Sequence, residues 1–129
     1  MRAQYHFRPS PRGLRAWNVH RLVQLSRDLK RERVPLAAIR ELDEAYWTNN
    51  GDPITCREVV DHARLILDCE LSYPVILSSD GRVMDGMHRI CKALLEGLDA
   101  VEAVRFMQDP EPDYVGVAPD DLPYDDLDE

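Results

Sequence analysis

The sequence has no apolar run approaching the ~20 residues that a membrane-spanning helix needs. Its opening, Met1-Arg2-Ala3-Gln4-Tyr5-His6-Phe7-Arg8-Pro9, carries basic side chains with no apolar stretch behind them, unlike a secretory signal. The expectation is a cytoplasmic protein with no membrane contact. Cysteine is scarce: Cys56, Cys69 and Cys91 are an odd number with no CxxC spacing, which argues against a disulfide framework and against a zinc site. Each lies in or beside an apolar stretch and reads as a small buried thiol. There is no internal repeat and no Gly/Ser-rich linker. With 129 residues the chain can bury one core but not two ordinary ones.

What is present is a globular composition, 44% hydrophobic and 31% charged, with its charge unevenly placed. Residues 1–40 hold ten Arg and Lys against Asp28 and Glu32, whereas residues 107–129 hold nine Asp and Glu and no basic residue; the net is −8. An acidic body disfavours nucleic acid, because neutralising phosphates takes a basic face. The basic N-terminal part is left to meet a smaller anion or the acidic tail.

Pro9, Pro11 and Gly13 break any period in the first residues, so residues 1–17 are expected to form an irregular arm. Val19, Leu22, Val23, Leu25 and Leu29 recur at helical spacing behind Asn18, a fitting N-cap. Arg33-Val34-Pro35-Leu36 reads as a short edge strand, since Pro35 cannot donate to a ladder. Ile39, Leu42 and Tyr46 predict a helix over 37–47, and Thr48–Pro53 a loop. Thr55-Cys56-Arg57-Glu58 is a capping box opening a helix through about Asp68, with Val59, Ala63, Ile66 and Leu67 inward. Tyr73–Leu77 is a buried strand, Asp80-Gly81 a hairpin turn and Val83-Met84 the return strand. His88–Glu96 is a helix ended by Gly97, and Ala100–Phe106 the last strand. Residues 18–107 are therefore expected to form an α+β domain, a small mixed sheet with helices packed on it, plus an extra N-terminal helix. The acidic, proline-bearing 108–129 is expected to be a disordered tail.

The chemistry concentrates at Asp85-Gly86-Met87-His88-Arg89. A hairpin delivers the chain to Asp85, Gly86 permits a sharp turn and close approach, and the helix opening near Met87 aims free N–H groups at the same spot. Unpaired amides beside a guanidinium favour an anion. His88 can donate to a phosphate or move a proton near neutral pH, and Asp85 can hold Mg²⁺ or a hydroxyl. The same pattern also suits an ordinary surface helix start capped by Asp85. His62, alone on its helix, reads as a partly exposed helix residue. Trp17 and Trp47 fit core or interface positions better than ligand platforms.

Pro74-Val75-Ile76-Leu77, the Asp80-Gly81 turn and Asp85-Gly86-Met87-His88-Arg89 followed by Ala93 resemble the signature of the ParB/sulfiredoxin-like superfamily. Val34-Pro35-Leu36-Ala37-Ala38-Ile39 resembles its opening strand, so the likeness covers residues 33–106. The Asp-Gly-x-His-Arg form is most similar to the free serine kinase and sulfiredoxin branches. The resemblance implies a nucleotide site for ATP or ADP with Mg, with Asp85, Gly86, Met87, His88 and Arg89 around the phosphates and Asp85 toward the metal. It also implies an acid that activates a hydroxyl substrate, best matched by Glu44, then Asp43 or Glu41, with His88 orienting the transferred group. Met87 stands where sulfiredoxins have their reactive cysteine, which disfavours thiol repair. These 129 residues show neither the basic segment nor the downstream helix-turn-helix of partition proteins, so DNA clamping is not the expectation. The implied function is a nucleotide- or phosphate-binding domain, acting as a phosphotransferase on a small hydroxyl substrate. The alternatives are a non-catalytic nucleotide-sensing or protein-interaction module and, third, a DNA-partition or nuclease accessory. A homodimer or protein partner is left open.

Overall fold

The computed structural model describes residues 3–48 and 52–124; Asn49, Asn50 and Gly51 of the expected loop, and the last five residues of the expected tail, lie outside them. Among the described residues the fold is mixed α and β, with three helices and two sheets. Seven strands, β1 (Tyr5–Arg8), β2 (Arg15–Asn18), β3 (Glu32–Pro35), β4 (Val75–Leu77), β5 (Val83–Asp85), β6 (Ala100–Arg105) and β7 (Tyr114–Val115), are joined with α1 (Val19–Ser26), α2 (Cys56–Asp68) and α3 (Met87–Leu95).

The larger sheet runs β3-β6-β4-β5. β4 and β5 form the antiparallel hairpin that Asp80-Gly81 predicts, and β6 returns parallel to β4 after α3. β3 lies at the sheet edge, where Pro35 is tolerated. Strand alternation sends side chains to both faces. Val75, Leu77, Val83 and Ala103 join Met87, Ile90 and Ala93 of α3 in one core. Ile76, Met84 and Val104 point the other way, into a second core with Leu22 of α1 and Trp17 of β2. The helix ends follow local chemistry. The Asn18 side chain accepts from Arg21 N, both halves of the Thr55–Glu58 capping box form, and Gly97, at φ 78°, closes α3 with Gly97 N donating to Leu94 O and Leu98 N to Ala93 O.

Five expectations are corrected. Residues 37–47 form two short 3-10 turns, Leu36–Ala38 and Arg40–Asp43, rather than a helix. The extended Ile39 between them is 2% exposed and Glu41, two residues on, 3%; one helix face cannot bury both. The Glu41 carboxylate accepts from Val83 N at 2.6 Å, supplying an acceptor to the edge strand β5. The described part of residues 1–17 is not an irregular arm: β1 and β2 pair antiparallel. The described part of the tail is placed too. β7 pairs with β2, Trp17 Nε1 donates to Pro110 O at 2.8 Å, Asp113 accepts from Asn18 N and pairs with Arg21 at 3.3 Å, and Leu122 is buried. The acidic segment thus meets the basic N-terminal part. Finally, α2 has no buried residue: Val59 is 50% and Leu67 62% exposed, and Cys56 is an exposed thiol while Cys69 and Cys91 are half-buried.

Candidate functional site

β5 ends at Asp85, and Gly86 turns the chain into α3 with φ 105° and ψ 18°. That left-handed conformation suits glycine, and the space demands it as well. A Cβ at position 86 would lie 2.9 Å from Arg89 Nη2 and 3.2 Å from the Cα of Val75. Arg89 therefore folds back over the start of its own helix. Its Nη2 donates to Pro74 O at 3.1 Å and to Asp85 Oδ2 at 3.2 Å, while its buried Nε has no hydrogen-bond partner. No side chain caps the first turn of α3. Met87 points into the core and is no part of an open surface.

Asp85 and Arg89 line a cavity of about 610 Å³ between α1 and the larger sheet. Val19, Val23, Leu29, Tyr73 and Pro74 supply apolar wall, and His20, Arg27 and Arg31 join Arg89 around it. Three arginines and one carboxylate residue thus line one cavity in a chain whose net charge is −8. Arg31 is also tied to Glu102 at 3.1 Å and to Ser72 O at 3.0 Å. His20, Val23 and Arg27 share one helical face, a spacing visible in the sequence; that the face looks onto Arg89 is not.

His88, next to Arg89, turns elsewhere. Its Nε2 is 2.9 Å from Nδ1 of His62, and both imidazoles stack on the Trp47 indole, with centroids at 4.8 Å and 4.2 Å. Burial and the neighbouring His62 push the His88 pKa below its ordinary value, against the pull of Asp85. His62 is consequently a partner of the motif histidine, although helical spacing alone marked it as ordinary. Tyr46 lies close by, its hydroxyl pushed up to about 12 by burial and by the charges of Glu41 and Asp85.

None of the three candidate acids lines the cavity. Glu44 is held by the Arg82 guanidinium, which donates to both carboxylate oxygens and keeps the acid below its usual range. Glu41 is buried against Val83 N and Arg82, and Asp43 faces solvent. Asp85 is the carboxylate that does reach the cavity. Among the described residues, no group of three or more His, Cys, Asp or Glu side chains is placed to hold a metal ion. Among the described residues no helix is long and apolar enough to cross a membrane. Comparison with known proteins finds no family model, no curated protein and no solved structure that matches the chain.

Proposed function

We propose that the chain is a small nucleotide- or phosphate-binding domain of the ParB/sulfiredoxin-like type, whose ligand sits in the cavity between α1 and the β4–β5 hairpin. The observation that carries this reading is the gathering of Arg27, Arg31 and Arg89 around one cavity of an acidic protein. The cavity's size is that of a small-molecule site. Its apolar wall suits a base or ring, and its guanidiniums suit phosphate oxygens. Arg89 spends one nitrogen on Pro74 and Asp85, which leaves donors of its five-hydrogen fork for a ligand.

The binding module takes precedence over phosphotransfer. A kinase needs an acid at the substrate hydroxyl, and Glu41, Asp43 and Glu44 stand off the cavity. Phosphotransfer from ATP or ADP with Mg²⁺ stays as the second reading because Asp85 lines the cavity beside Arg89. In it Asp85 would receive the hydroxyl proton or hold the metal, and the metal would neutralise phosphate charge.

Isothermal titration with ATP, ADP and CTP, each with and without Mg²⁺, tests the proposal. Binding of at least one nucleotide is expected, weakened about ten- to a hundredfold by Arg89→Ala, the loss of one charge-assisted contact. Unchanged affinity in that variant removes the phosphate assignment. Loss of γ-phosphate to a hydroxyl compound, abolished by Asp85→Asn, would promote the second reading.

A further inference from the structure

A surface that does not line this cavity carries a separate inference. α2 leaves its outward face bare: Val60 is 55% and Leu67 62% exposed, and no residue of the helix is buried. Down the middle of that face run Arg57, Asp61, Arg64 and Asp68, spaced by four, three and four residues, which places them in one stripe on a helix of 3.6 residues per turn. All four are exposed.

The order of charges has a symmetry. In an antiparallel pair of identical helices, each residue meets the one equally far from the two-fold axis on the other side. Arg57 and Asp68 are equidistant from the point midway between His62 and Ala63, and so are Asp61 and Arg64. One axis therefore matches every charge of the stripe with its opposite on a second copy. A parallel pairing would set like against like. Val60 and Leu67 flank the stripe on one side, so the same contact covers exposed apolar surface.

We propose that α2 is a homodimerisation helix, pairing antiparallel with α2 of a second copy about an axis between residues 62 and 63. The occupant of the face is this chain itself, because the charge pattern is its own complement. With charges at its centre, the contact is a weak, salt-sensitive one.

Two variants that leave the core untouched test it: an acidic stripe, R57D/R64D, and a basic stripe, D61R/D68R. Sedimentation equilibrium should show the native chain as a dimer whose dissociation constant rises with salt. Each variant alone should dimerise at least about tenfold more weakly, and an equimolar mixture of the two should regain the native affinity as a heterodimer. Circular dichroism of each variant controls for folding. A native chain that stays monomeric at its solubility limit, variants that dimerise as well as the native chain, or a mixture no tighter than its components would each overturn the proposal.

Discussion

Nδ1 of His62 and Nε2 of His88 lie 2.9 Å apart beneath the Trp47 ring, so the contact holds one proton: one nitrogen donates and the other accepts. A second proton would set two N–H groups face to face. Because the folded state holds the His88 pKa below its ordinary value, the unfolded chain takes up the proton first, and stability falls as pH drops below 6.5. Acid titration followed by tryptophan fluorescence should show a transition below pH 6.5 as the stack opens. Trp47→Phe and His88→Gln should each remove the part of the change that reports the stack, leaving the Trp17 signal beside His6. A fluorescence profile identical in the native chain and His88→Gln would refute the shared proton.

Gly86 and Arg89 are coupled sterically. Gly86→Ala places a Cβ against Arg89 Nη2 and the Val75 backbone at φ 105°, a strain of about 1–3 kcal/mol. Chemical denaturation should read that loss. If the cavity binds a nucleotide as proposed, its affinity should fall as well, since the guanidinium is displaced from its seat. Unchanged stability would mean that the turn tolerates a side chain and that Arg89 gives way without cost.

His6 predicts a second acid-sensitive step. Burial first, then the charges of Arg8 and Arg15, lower its pKa to about 4, and its Nε2 accepts from Arg8 Nε at 2.9 Å. The folded chain keeps His6 neutral while the unfolded chain protonates near 6.5. Its contribution is therefore complete above that pH and is lost progressively between pH 6.5 and about 4, amounting to about 3 kcal/mol in all. Over that window, His6→Gln should flatten the slope of unfolding free energy against pH by about one proton. An unaltered slope counts against a neutral buried imidazole.

The segment after Met107 should prove structural. Deleting residues 108–124 uncovers Trp17, removes the Pro110 acceptor and strips β7 from β2. A loss of about 2 kcal/mol or more is expected, with a red shift of tryptophan emission. A truncated chain as stable as the full one would restore the expectation of a disordered tail.

The elements legible in the sequence were those fixed by neighbours. Thr55 and Glu58 cap across three residues, Asp80-Gly81 turns within the hairpin, and Gly97 closes α3 through its adjacent amides. The adjacency of Asp85, Gly86 and Arg89 at one helix start was legible for the same reason. What escaped depends on partners far along the chain. The 37–47 stretch has helical spacing, but the β5 edge recruits Glu41 and breaks the period. β2 finds β7 across some hundred residues, so neither looks like a strand by itself. His62 and His88 meet across 26 residues, and no spacing rule pairs them. α2 misled in the opposite sense, since its apolar positions have the right period but no core to enter.

Trp17 takes its hydrogen-bond acceptor from a residue 93 positions later. At ~5–20 residues per second, the ribosome needs several seconds to deliver that carbonyl after the indole has emerged. During that interval β2 offers an unpaired edge and a bare aromatic ring to whatever is nearby. The smaller sheet therefore closes late, only after the segment carrying Pro110 and β7 has been made.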